Sequence, residues 1–99
     1  MKEYEVMFIL KPELQGEALQ LSLKEALDII RKYQYEVENV DELGKKRLAY
    51  NLAKKNEGFY YRAKFKGKPE NISKINREFF LNENILRSFV TVRHKEKVT

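Results

Sequence analysis

Residues 3–10, EYEVMFIL, alternate with period two: Val6, Phe8 and Leu10 share one face, Met7 and Ile9 the other. Apolar groups on both faces suit a central strand, and Pro12 ends it. The period then changes. Over 14–33, Leu19, Leu23, Ala26, Leu27, Ile30 and Tyr33 recur at spacings of three and four, the single stripe of an amphipathic helix. Glu13 and Glu17 stand near its start and Arg31 and Lys32 near its end, each sign complementing the helix dipole. An extended pattern returns over 35–43, where Tyr35 and Val37 alternate but Val40 breaks the parity and predicts a bulge or kink. After Gly44 the chain stays extended, with Leu48, Tyr50 and Leu52 alternating, and residues 54–58, KKNEG, have the composition of a turn. A third strand over 59–66 sets Tyr61, Ala63 and Phe65 against Tyr60, Arg62 and Lys64, and Gly67 ends it. Pro69 suits the first position of a second helix, where its missing N–H costs nothing. That helix is expected to run to Leu81, burying Ile72, Ile75 and Phe79 with Phe80 as a further candidate, and Asn82 or Asn84 is suited to close it in a left-handed conformation. A fourth strand over 85–93 divides Ser88, Val90 and Val92 from Arg87, Phe89, Thr91 and Arg93.

The order β-α-β-β-α-β is the split-βαβ, or ferredoxin-like, arrangement of the α+β class. Right-handed crossovers give an antiparallel four-stranded sheet ordered 4-1-3-2 with both helices on one face. The covered face would carry Val6, Phe8, Leu10, Val37, Tyr61, Ala63, Phe65, Val90 and Val92. The open face would carry Met7, Ile9, Tyr60, Arg62, Arg87, Phe89 and Arg93; apolar side chains framed by arginines have the composition of an interface.

A length of 99 residues supports one domain, with 94–99, HKEKVT, read as a frayed tail. Hydrophobic residues at 42% and a scatter of aromatics supply a core, and no apolar run is long enough to span a membrane. The start, MKEYEVMF, lacks the pattern of a secretory signal. Without cysteine there are no disulfides, thiolate metal sites or thiol nucleophiles, and the expected compartment is the cytoplasm. The net charge of +5 is unevenly spread. Residues 1–44 hold five Lys or Arg against ten Asp or Glu, residues 45–68 hold nine against one, and residues 69–99 hold six against four. A basic middle segment suggests a polyanion-facing edge opposite an acidic helix.

This architecture includes RNA-recognition domains, but the third strand departs from their aromatic motif. In E-G-F-Y-Y-R-A-K, residues 57–64, only Gly58, Phe59 and Tyr61 match. That register would also turn Arg62 and Lys64 into the core, at a prohibitive desolvation cost. Enzymatic chemistry finds no support. His94 is the lone histidine, the pairs Glu36/Glu38 and Asp41/Glu42 read as surface charge, and no phosphate loop or nucleophile motif occurs. An acylphosphatase would need a Gly-rich anion loop where K-P-E-L stands. No cofactor, metal or small-molecule substrate is expected. A ligand-binding module dimeric through its open face stays compatible with these patterns.

The most specific segment is G-K-K-R-L-A-Y, residues 44–50: three cations after a turn glycine, placed to reach phosphates, with Leu48 and Tyr50 as anchors. Followed by N-L-A-K, it resembles the diagnostic stretch of the S-six family of bacterial small-subunit ribosomal proteins. Y-E-V-M-F-I-L-K-P near the N-terminus, N-E-G-F-Y and N-E-N-I-L-R-S-F-V are similar to the same family, and the resemblance covers residues 2–95. Leu52 departs from the isoleucine more usual there, and the acidic tail of some members is absent from this sequence. The resemblance implies the fold derived above, a structural rather than enzymatic role, and binding to the central domain of 16S rRNA as a heterodimer with the eighteenth small-subunit ribosomal protein. It divides the surface accordingly. Lys2, Lys45, Lys46, Arg47, Arg87 and Arg93 are the candidate rRNA contacts; Met7, Ile9, Tyr60, Arg62 and Phe89 are the candidate partner contacts. Arg87, on the edge strand, suits either surface.

Overall fold

The computed structural model describes residues 2–52 and 55–93, and at 46–52, 55, 56 and 93 the main chain alone. Its elements are β1 (Lys2–Leu10), α1 (Gly16–Lys32), β2 (Glu36–Leu52), β3 (Lys55–Gly67), a 3-10 turn at Pro69–Asn71, α2 (Ile72–Leu81) and β4 (Ile85–Arg93). The strands form one antiparallel sheet ordered β2-β3-β1-β4, the predicted 4-1-3-2. Both helices pack on one face, where Leu23, Ala26 and Ile30 of α1 and Ile75 and Phe79 of α2 meet Val6, Phe8, Leu10, Tyr61, Ala63 and Phe65. Aromatic stacking orders this layer: Phe8 lies parallel to Tyr61 at 5.6 Å and edge-on to Phe79 at 5.6 Å.

Tyr4 and Tyr35 extend the core beyond the expected set. Tyr4 shares the parity of Val6 and stacks on Phe65 at 5.5 Å. The Tyr35 hydroxyl donates to the Lys68 carbonyl and accepts from the Asn71 N–H at 3.3 Å, so the ring is buried without orphaning its polar tip. Burial is the main cause that raises its phenol above the ordinary value. Ser22 is buried on α1, and its hydroxyl accepts from the Asn84 amide at 3.1 Å, tying the first helix to the turn before β4.

Several boundaries differ from expectation. Residues 55–58 do not form a turn: they begin β3, with Lys55 opposite Leu52 of β2, and Lys54 lies outside the described residues. Gly44 is likewise no turn. It sits at φ +89° inside β2, at a register shift against β3, and β2 runs on to Leu52. The parity break near Val40 is a register shift between Val37 and Asn39. At the end of α2, Asn82 is extended (φ −79°, ψ 120°), and its side chain accepts from the Asn84 N–H at 2.8 Å. Among the described residues the left-handed non-glycine residue is instead Gln34 after α1, at φ 67°. Phe80 is 85% exposed and Val92 45% exposed, because the helix stripe passes through Phe79 and the sheet edge at Val92 lies past the covering helices. The 94–99 tail and His94 lie outside the described residues.

Candidate nucleic-acid and partner interface

Two rows of side chains cross the open sheet face. One runs Phe89–Met7–Arg62–Asp41 from β4 through β1 and β3 to β2, and the next runs Arg87–Ile9–Tyr60–Gly44. The five candidate partner residues and Arg87 are therefore brought together on three adjacent strands. They are not equally accessible. Phe89 is 52% exposed, with the Arg87 guanidinium carbon 5.6 Å from its ring centroid. Met7, Tyr60 and Arg62 are half-buried. Ile9 is 3% exposed, which corrects its reading as an exposed contact. It lies over Gly58, where an added Cβ would approach its Cγ2 to 2.5 Å, so it supports the surface from beneath.

Charge on this face is paired in a way the strands' separation in sequence conceals. Arg62 donates to the Asp41 carboxylate from Nε at 3.2 Å and from an Nη at 3.0 Å, and Nε lies 4.0 Å from Glu5. The Arg62 hydrogen bonds hold the Asp41 carboxyl below the ordinary carboxylate range. Lys66 reaches Glu36 at 3.4 Å and Glu38 at 3.5 Å, and these carboxylates raise its ammonium above the ordinary value. Glu36, Glu38 and Asp41 are thus counterions of β3, and among the described residues no group of three His, Cys, Asp or Glu is placed to hold a metal. The expected acidic helix is not found: α1 balances Glu17, Glu25 and Asp28 with Lys24, Arg31 and Lys32. The acid that offsets the basic segment sits beside it in the sheet. Glu5 and Asp41 are the residues that sequence reasoning missed; the parity of Glu5 with Met7 was the available signal, whereas Asp41 needed the β2 register.

The candidate RNA residues separate into two groups. β1 pairs with β3 only as far as Leu10 opposite Phe59, while β2 and β3 continue together past Lys45–Phe59, Lys46–Gly58 and Arg47–Glu57. The segment of three cations therefore lies along a two-stranded arm that begins beside Tyr60. Lys45 is exposed, 3.7 Å from Glu57 and 5.7 Å from the Phe59 ring centroid; the Lys46 and Arg47 side chains lie outside the described residues. Arg87 is at this end of the sheet. Lys2, opposite Gly67, and Arg93, opposite Glu3, are at the other, on the order of 20 Å away at about 3.4 Å per residue. The Arg93 side chain lies outside the described residues. The outward register of Arg62 and Lys64 agrees with the exclusion of the aromatic RNA-recognition motif, since Tyr61, Ala63 and Phe65 are buried.

Comparison with known proteins accounts for this combination. The family model for ribosomal protein S6 matches residues 3–92. The chain is 38% identical over 98 residues to small ribosomal subunit protein bS6 of Pseudarthrobacter chlorophenolicus, covering 99% of this chain and 97% of that one. It is 42% identical over 90 residues to the bS6 of Mycobacterium tuberculosis, covering 91% and 94% respectively. The crystal structure of 30S ribosomal protein S6 from Thermotoga maritima superimposes with a TM-score of 0.86 at 25% identity, over 93% of this chain and 87% of that one. A sheet with one uncovered face and a basic arm, matched almost end to end by these relatives, places the chain in the ribosomal protein S6 family, structural and non-enzymatic proteins of the small ribosomal subunit in the cytoplasm.

Proposed function

We propose that the chain binds the central domain of 16S rRNA together with the eighteenth small-subunit ribosomal protein, the partner seated on the open sheet face and the RNA against the basic arm. The observation that carries this reading is the uncovered surface built around Phe89 and Arg87. A half-exposed aromatic under an arginine, beside Met7, Tyr60 and Arg62, has the anchor chemistry of a protein interface. Ile9 contributes by holding that surface rigid. Glu5 and Asp41 hold the Arg62 guanidinium in place, so a partner would meet an ordered charge.

The arm supplies the nucleic-acid side. Its sequence carries Lys45, Lys46, Arg47 and Lys55 against Glu57. The exposed Lys45–Glu57 pair is weak enough to give way to a phosphate. Phosphate contacts of this kind read the shape of a folded RNA rather than its bases. Lys2 and Arg93 form a second contact at the far end of the sheet.

The test is binding to a labelled fragment of the rRNA central domain, with and without the eighteenth protein, at two salt concentrations. Tight binding only when both proteins are present is expected. Equal binding to unrelated RNA by this chain alone, or no binding in the presence of an active partner, would overturn the reading.

A further inference from the structure

On the helix-covered side of the molecule, away from the open sheet face, α2 presents an exposed stripe. Ser73, Asn76, Arg77 and Phe80 follow at spacings of three and four, with Lys74 beside them, and all are exposed. Together with Ser88 of β4 they line an open groove of about 680 Å³. Two facts set this groove apart. Phe80 is 85% exposed, above Leu21, Leu81, Phe89 and Val92 among the exposed large apolar residues, and nothing in the packing of the domain uses it. Lys74 and Arg77, like Lys24, have no side-chain ion-pair or hydrogen-bond partner among the described residues, and here two such cations line one groove with an exposed aromatic ring. The acid nearest in sequence, Glu78, faces α1, where it accepts from Tyr33 and Lys32.

We infer that this groove is a second RNA site, taking one unstacked nucleotide of a single-stranded segment. The base would lie on the Phe80 ring, the phosphate between Lys74 and Arg77, and Ser73, Asn76 and Ser88 would offer hydrogen bonds to base edges or ribose. The choice of RNA over a protein occupant follows from charge and form. A groove holding two unneutralised cations and no carboxylate complements a polyanion, and a lone aromatic with flanking cations and small polar groups is a stacking platform. A protein hot spot would instead be walled by further apolar side chains. The inference assumes a ribosomal setting but not the rRNA and partner contacts proposed above: the partner surface lies on the opposite sheet face, and the proposed rRNA residues lie on the two-stranded arm and at the other end of the sheet.

The test is a titration of the isotopically labelled chain with a single-stranded RNA hexamer, followed by NMR, on wild type, Phe80→Ala and the double variant Lys74→Ala/Arg77→Ala. Exposure of all three side chains keeps the variants folded, which their unperturbed core resonances would show. Shifts at residues 73–81 and 88 are expected, with affinity falling about fivefold or more on removal of the ring and salt sensitivity disappearing on removal of the cations. Absence of groove shifts in wild type, or shifts that persist unchanged in both variants, would overturn the inference. So would shifts there that require the eighteenth protein or that grow with concentration of the chain alone, which would assign the groove to a protein or to a second copy. Groove binding alongside failure of the central-domain fragment to bind would leave this site standing and remove the earlier proposal; the reverse pattern would do the opposite.

Discussion

Gly58 illustrates how one residue can be fixed by its neighbours rather than by its own dihedrals. A Cβ there would stand 2.5 Å from Ile9 Cγ2 and 2.7 Å from the Leu10 carbonyl oxygen. The second contact is main chain and cannot rotate away. Gly58→Ala is expected to cost about 1–3 kcal/mol, the usual range for overpacking, read as a lowered urea midpoint at unchanged m-value. Gln34 poses the opposite case. It closes α1 at φ 67°, with its N–H on the Arg31 carbonyl at 2.9 Å, a position where a Cβ is strained. Gln34→Gly should therefore raise stability by roughly 0.5–1 kcal/mol, the relief of strain exceeding the entropy that glycine adds to the unfolded chain. A fall in stability would show that the Gln34 conformation carries no strain. Neither position was legible as special in the sequence, since both depend on what the chain meets after folding.

At the scale of elements, α2 sets two adjacent phenylalanines in opposite surroundings. Phe79 is fully buried and edge-on to Phe8, while Phe80 points to solvent. Phe79→Ala should cost about 3–5 kcal/mol by opening a cavity, and Phe80→Ala should stay within about 0.5 kcal/mol; equal destabilisation of the two variants in chemical denaturation would refute this placement. The two helices are also clasped by Glu78, which accepts from Tyr33 and, at 3.0 Å, from Lys32. The Tyr33 hydroxyl, then Lys32, lowers the Glu78 carboxyl below its ordinary value. A carboxyl whose folded pKa is depressed contributes stability that is fully present above its unfolded pKa and is lost as pH falls through the folded one. The gap in urea midpoint between wild type and Glu78→Gln should thus be largest near neutral pH and close on acidification below the ordinary carboxylate range. A gap independent of pH would mean that the clasp works by packing alone.

For the whole molecule, the distribution of charge matters more than its sum. Nine Lys or Arg against one Asp or Glu over residues 45–68 describe a strongly basic stretch. In the sheet, however, the Arg62 and Lys66 end of β3 lies against Glu5, Glu36, Glu38 and Asp41. The far part, on the two-stranded arm, lacks such a lining of acid in its sequence apart from Glu57. Replacing Lys46 and Arg47 together by Ala should accordingly weaken RNA binding and flatten its salt dependence. Each phosphate that the variant no longer neutralises reduces the slope of log K against log salt by roughly 0.7–0.9. The reading is checked by measuring affinity across a salt series, and an unchanged slope would remove both residues from the RNA surface.

The periodicities determined the element order and most of the core, because local alternation reports which face of a strand or helix is apolar regardless of where the partner lies, and the handedness of crossovers then gave the sheet order. They also separated Arg62 and Lys64 from Tyr61, Ala63 and Phe65, since burying unpaired cations is too costly to allow the other register. The family was legible because its diagnostic stretches are contiguous in the chain. Tertiary structure decided what depends on contacts between distant residues. It made the KKNEG segment largely strand, continuing the hairpin well beyond β1. It buried Ile9 on a face expected to be open and exposed Phe80 beside a buried neighbour. It also set Asp41 and Glu5 against Arg62, residues 21 apart in one case and on another strand in the other. Register, coverage by a neighbouring element and the pairing of charges across strands are properties of assembled surfaces, and pattern within a single segment does not encode them.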